Sequence, residues 1–334
     1  MSPLAKKVIQ YTAIFGIGIA FLYFVFNGIE WSKMSAIFSS VNYNWIALGL
    51  AFSLLSHWIR AYRATMLYST MNYKVSITNS LYAVLIGYFM NYFIPRGGEI
   101  SRCAALYKTD QIPVEKSLGT VIVERLLDIV MTGLIFALVI ALQFDVIFNY
   151  IEKNISSGSG TGGSLKYTLL ASVVLLVGLF FLLRKKLIGL PVYQKIISLL
   201  EGFLQGFRSV KEVKSPVLFI ALSIAIWICY ILMMYVCLFG LEATKHLDLA
   251  QCLTVFALGT IGVVIPAPGA GAGTYHFAIM QGLLLFGVAK DDGIAYATVV
   301  HGTQMIMFFI VGGISSLIVL FKTRNNNAAE AISK

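Results

Sequence analysis

Six charged residues sit where charge is expensive. Arg96, Glu99 and Arg102 fall in the run NYFIPRGGEISRCAAL (91–106), and Glu124, Arg125 and Asp128 fall in ERLLD, both within apolar surroundings. An ionised side chain at the centre of a membrane helix costs about 2.5–3.5 kcal/mol on insertion scales, so such groups must pair or face water. The signs balance, three against three. Glu124 and Asp128 are one helical turn apart and share a face. If their helix enters a bilayer near Ser117, Asp128 lies roughly 16 Å deep, close to the midplane. Two readings stand side by side. In one, Arg125 holds Glu99 and the charges lock a hairpin to a helix. In the other, Arg96, Arg102 and Arg125 accept a phosphate while the acids tune the site or compete with it.

The second half of the chain carries a different set. IPAPGAGAG (265–273) supplies Pro266, Gly269 and Gly271, His276 follows the glycines, and His301 lies opposite Glu124 at an offset of 177. Histidines inside a membrane either relay protons or serve as hydrogen-bonded structural residues. His57 and His246 fall near the expected membrane edges and are given no role. The four cysteines form no CxxC pair, and three lie in apolar stretches, which reads as buried thiols rather than metal ligands or disulfides.

These residues need apolar elements to hold them. Hydrophobic residues make up 58% of the chain and charged ones 12%, against roughly 25% in a soluble domain. The mean hydropathy is +0.83. The net charge of +10 is spread between apolar runs instead of forming a basic face, which excludes a nucleic-acid partner and points to anionic lipid head groups. Runs long enough to cross a bilayer lie at about 8–27, 44–59, 117–143, 166–183, 216–240 and 293–321. Two more, about 77–107 and 250–288, are broken near the middle by Pro and Gly. The Gly/Ser-rich segment 144–165 reads as an outer loop, 184–214 as an amphipathic helix on the cytoplasmic face, and 322–334 as a polar tail.

The order span, span, broken hairpin, span occurs twice, in 1–143 and 166–321, and Ile94-Pro95 matches Ile265-Pro266 at an offset of 171. The expected fold is therefore an all-α polytopic membrane protein, a single membrane domain of six full spans and two re-entrant hairpins arranged as an inverted repeat. Each hairpin's second helix would start near the midplane, around Gly98 and Thr274, where unpaired N–H groups suit an anion. With both hairpins returning to the side they came from and both termini cytoplasmic, 18 of the 25 lysines and arginines are cytoplasmic and 5 are outside. Arg60, Arg63 and Arg102 count among the 18, while Arg96 and Arg125 fall within the membrane. That bias fits the positive-inside rule.

NYFIPRGGEISRCAAL, ERLLD and PAPGAGAG (266–273) resemble the transmembrane, flippase-like family of lysylphosphatidylglycerol synthases, over nearly the whole chain. In that family the membrane module is held to move lipid between leaflets, and the best-studied members join it to a soluble synthase domain. The chain ends at Lys334 in a polar tail, so the resemblance implies no synthase activity here. Carried over by motif, it implies roles for Asn91, Pro95, Gly98, Glu99, Arg102, Glu124, Arg125 and Asp128. Ala270 departs from the commonest pattern, in which another glycine is usual.

The expected function is translocation of a phosphate-containing lipid between leaflets of the plasma membrane, with Arg96, Pro266, Gly269, Gly271, His276 and His301 completing the binding set. No HExxH, Walker or hydrolase signature appears, and no catalytic residue, cofactor or metal is assigned. Two alternatives remain: a membrane glycosyltransferase acting on a lipid-linked donor, and a non-catalytic subunit of a separate lipid synthase. The glycosyltransferase reading calls for acids in an early outer loop, where 28–43 offers only Glu30. The expected partners are lipids with anionic or phosphate-bearing head groups, with a homo-oligomer or a synthase as further candidates.

Overall fold

Local signals fix where the helices start. Asn42 accepts a hydrogen bond from the Asn44 amide (3.2 Å) and Ser76 accepts one from the Asn79 amide (3.1 Å). Asp248 and Gln251 form a reciprocal capping box, and Pro216 stands at a helix start where its missing N–H costs nothing. The computed structural model describes residues 16, 19–94, 97–155, 212–265 and 267–332, with side chains left aside at 147–155, 268 and 325–332. After a helical stretch at 19–26 come α1 (Trp31–Ser40), α2 (Tyr43–Thr70), α3 (Ile77–Phe93), α4 (Gly97–Asp110), α5 (Val114–Ile155), α6 (Pro216–Leu238), α7 (Leu249–Val264), α8 (Thr274–Leu284) and α9 (Lys290–Ile332). No strand occurs among the described residues.

Three described segments are long and apolar enough to cross a bilayer: Val114–Val146, Pro216–Leu238 and Lys290–Arg324. A fourth is the pair α1 and α2, bent by 78° between them. Ile122, Ile129, Leu134, Val217, Ile310 and Leu317 point outward, as an apolar solvent allows and water does not. These segments cover the runs at 117–143, 216–240, 293–321 and 44–59. The run at 8–27 is described only in part, and 166–183 lies outside the described residues, as does 184–214 except for a turn at 212–214.

Several boundaries differ from the sequence reading. Residues 28–43, expected as a loop, contain α1. The start of the expected outer loop, 144–155, continues α5 past a kink at Gln143, and most of the expected tail continues α9 to Ile332. Above all, α2 does not stop near residue 59 but runs on to Thr70 through Arg60 and Arg63, which are buried. Both arginines find partners inside the protein, so the helix need not reach water at residue 60.

Each Pro/Gly-broken region forms two antiparallel helices packed face to face. In the first, Asn79 at the start of α3 donates to both carboxylate oxygens of Asp110 at the end of α4 (3.0 and 3.1 Å). Near the break, a Cβ on Gly87 would sit 3.0 Å from the Gly98 carbonyl oxygen, so glycine is needed for the close approach. In the second, a Cβ on Gly262 would sit 2.7 Å from the Thr274 carbonyl oxygen, and one on Gly282 would sit 3.2 Å from Val255. The turn Pro268–Gly271 joining α7 towards α8 packs on α3. It is left-handed: φ is +64° at Gly269, +55° at Ala270 and +94° at Gly271.

The long helix α9 ties the two pairs together. It begins just after the second pair, and Lys290 donates to the Asn27 carbonyl (3.3 Å). Towards its other end Lys322 donates to Asn79 at the open end of the first pair (3.0 Å). The main apolar core gathers α6 to α9 around Ile226, Met234, Val255, Ile279 and Leu283, with Tyr296 hydroxyl bonded to the Met234 carbonyl (2.9 Å).

Candidate functional site

Three helices bring charge to one place and two more line it with polar groups. Helical spacing aligns Arg60 with Arg63 on α2, Glu99 with Arg102 on α4, and Glu124 with Asp128 on α5. α3 supplies Tyr88 and Asn91, and α6 supplies Ser223 and Tyr230.

At the centre is Glu124, whose side chain is 1% exposed. Arg102 grips it with both Nη atoms at 2.9 and 2.7 Å, the bidentate geometry that makes an Arg–carboxylate pair strong. Arg60 approaches Glu124 at 3.5 Å and Asp128 at 3.2 Å, and its other Nη donates to the Tyr230 hydroxyl (3.1 Å). Arg63 is fully buried; it donates to Ser223 Oγ (2.8 Å), lies over the Phe219 ring (5.6 Å) and comes no nearer to Glu124 than 3.8 Å. Arg125 donates through Nε to Glu99 (2.9 Å) and through Nη1 to Asp128 (3.3 Å). The sequence-expected Arg125–Glu99 pair is present.

Among the described residues Arg60, Arg63, Arg102 and Arg125 face Glu99, Glu124 and Asp128, four cations against three carboxylates, while Arg96, counted in the expected three-to-three balance, lies outside them. Arg60, Arg63 and Arg102 belong to this cluster; the sequence reading placed Arg102 in the charged site but left Arg60 and Arg63 in a segment after the helix, whereas both are buried within α2. The Nε groups of all three lack a hydrogen-bond partner among the described residues. A small cavity lined by Arg60, Tyr88, Asn91, Glu99, Arg102 and Arg125 has a volume of about 20 Å³, room for about one water.

Asn91 and Gly98 meet here too. The Asn91 side chain accepts a hydrogen bond from the Gly98 amide (2.8 Å), so one donor at the start of α4 is already satisfied within the protein. Pro95, Arg96 and Pro266 lie outside the described residues. Gly269, Gly271, His276 and His301 do not join the arginine cluster. His276 and His301 pack edge to face at 5.2 Å, His301 lies 5.2 Å from Tyr275 and 6.2 Å from Tyr92, and Phe26 lies 5.9 Å from His276. The Gly273 amide donates to His276 Nδ1 (3.4 Å). Both histidines therefore sit in an aromatic setting beside the second break.

The sequence reading missed Arg60, Arg63, Tyr88, Ser223 and Tyr230, and it gave His57 no weight. His57 is buried, 4.2 Å from the Tyr88 ring and 5.1 Å from that of Phe308. The available signal was HWIRAYRATMLY (57–68), where polar residues recur at every third position and apolar residues resume afterwards. The four cysteines are buried and unpaired.

No solved structure matches the chain. It is similar to the UPF0104 membrane protein MJ1595 of Methanocaldococcus jannaschii, 23% identical over 330 residues that cover 94% of this chain and 96% of that protein. The profile of the lysylphosphatidylglycerol synthase transmembrane region matches residues 11–312. With its apolar helices and these matches, the chain is a membrane protein that belongs to the lysylphosphatidylglycerol synthase transmembrane-region family.

Proposed function

We propose that the protein is a lipid translocase rather than an enzyme, and that its arginine cluster receives the phosphate-bearing head group of a lipid crossing the plasma membrane. The carrying observation is the surplus of one cation among the described residues of a largely buried cluster, four arginines against three carboxylates. A buried, uncompensated charge is costly, and an anionic ligand is the species that relieves it. The cavity holds about one water, so a head group requires α4 to move relative to α5.

On this reading the two helix pairs are re-entrant hairpins entering from opposite faces of an inverted repeat, with both termini cytoplasmic. Support comes from α9, which starts beside the open end of the second pair and reaches the open end of the first at Asn79. Taking Arg60, Arg63 and Arg102 out of the loop charges leaves fifteen lysines and arginines inside against five outside, still the expected bias.

The test is a leaflet-resolved scrambling assay in proteoliposomes, comparing wild type with Arg125→Ala and Glu99→Gln. Wild type is expected to move an anionic phospholipid, and Arg125→Ala to slow it by at least about tenfold, as loss of one charge-assisted contact implies. If the purified protein moves no lipid of any head group, the translocase reading fails.

A further inference from the structure

We propose that the arginine cleft opens sideways to the bilayer between α4 and α5, and that Glu99 is a resident anion displaced from Arg125 by an arriving phosphodiester head group. The proposal rests on the head-group reading above and adds the route and the competitor.

The cluster's ion pairs are unequal. The side chains of Arg102 and Glu124 are 8% and 1% exposed, whereas those of Arg125 and Glu99 are 47% and 41% exposed. The exposed pair does not look onto a polar surface. Ile122 and Ile129 on α5 and Ile100 on α4 flank it, at 57%, 62% and 64% exposed. Residues 122, 125 and 129 share one helical face. In a membrane protein such isoleucines meet acyl chains, so the pair interrupts a lipid-facing strip. Ionised groups at such a position call for a polar partner that arrives with the lipid.

The geometry suits an exchange. Arg125 is held twice, by Nε to Glu99 and by Nη1 to Asp128, so its guanidinium keeps one anchor when Glu99 leaves. Behind it, Arg60 Nε and Arg102 Nε are buried donors without partners among the described residues, on side chains that line the cavity. A phosphodiester carries one negative charge, and Glu99 keeps its own at the edge of the cluster when it leaves Arg125, so the arriving head group offsets the surplus cation while it takes over the pairing. Glu99 can turn outward because it makes no other ion pair among the described residues. The acyl chains stay in the bilayer along Ile100, Ile122 and Ile129 while the head group enters.

The test uses the full-length protein in liposomes doped with phosphatidylglycerol bearing a photoreactive diazirine on one acyl chain, with cross-links mapped by mass spectrometry. The internal control is the apolar groove between α2 and α9, about 320 Å³, lined by Leu50, Ile306, Met307 and Ile310 and free of charge. Expected are cross-links concentrated at 100, 122 and 129. Glu99→Gln should raise them at least about threefold by removing the competitor, and Glu99→Asp should leave them near wild type. A photoreactive diacylglycerol should show no such concentration. Equal labelling of the control groove, or no response to Glu99→Gln in a variant that keeps wild-type thermal unfolding, overturns the proposal. Scrambling without cross-link enrichment removes the lateral route and spares the translocase reading; enrichment without scrambling does the reverse.

Discussion

At the scale of single residues, Glu124 is the anchor on which the cluster's stability turns. Arg102 grips it from α4, and Arg60 adds a longer contact from α2. Replacing Glu124 with Gln keeps the shape and strips the charge, leaving arginines facing one another. Breaking a buried pair from one side costs about 3–5 kcal/mol, and a lowered midpoint of detergent-phase unfolding would register it. Removing both partners with apolar residues of similar volume, Arg102→Met with Glu124→Leu, should cost much less than the single change. If the double variant is as unstable as Glu124→Gln, the pair is not acting as a unit. Arg102→Lys should recover little, because an ammonium cannot reproduce two parallel bonds. Glu99, Glu124, Arg125 and Asp128 were legible in the sequence, since charge inside an apolar run announces itself. Arg60 was not: its partner Asp128 is 68 residues away, and an arginine near the end of an apolar run reads equally as an interface residue.

Ala270 poses a residue-level question of another kind. It holds φ +55° between two glycines that also adopt positive φ. An L-residue with a Cβ pays about 1–2 kcal/mol in this region, which glycine escapes. Ala270→Gly is therefore expected to raise stability by about 1 kcal/mol, less the extra freedom glycine brings to the unfolded chain. A thermal unfolding midpoint that falls would show that the methyl group is needed for packing.

At the scale of elements, the first helix pair depends on two glycines and one amide. Gly98 faces Gly87 so closely that an added Cβ would strike the Gly87 carbonyl and the Asn91 side chain. Gly98→Ala must push α3 and α4 apart, at a cost of about 1–3 kcal/mol, and Arg102, one turn further along α4, moves with it. Scrambling and stability should therefore fall together. Asn91→Ala removes only the side-chain acceptor for the Gly98 amide and should cost about 1 kcal/mol. If Gly98→Ala is as mild as Asn91→Ala, the close approach does not position the site. The existence of both pairs could be read from their Pro and Gly residues. The extent of α2 could not, because Arg60 and Arg63 find their partners on helices far off in sequence.

At the scale of the whole molecule, the proposed inverted arrangement requires the two pairs to open towards opposite faces. Asp110 lies at the end of α4, at the open end of the first pair, and Lys290 starts α9 just past the second. α9 runs from Lys290 to a contact between Lys322 and Asn79, a rise of about 48 Å at 1.5 Å per residue, more than the hydrocarbon layer. Asn79 is bonded to Asp110, so Asp110 and Lys290 lie near opposite ends of one bilayer-length helix. Single cysteines at these two positions should therefore react with a membrane-impermeant maleimide from opposite faces, Asp110→Cys only from inside and Lys290→Cys only from outside. Replacing Cys103, Cys229, Cys237 and Cys252 first removes background, although their burial already slows their reaction. Labelling of both positions from the same face would sink the inverted arrangement and with it the symmetrical route for lipid. It would leave the arginine cluster intact, since that cluster is built from α2 to α6 and needs nothing from the second pair.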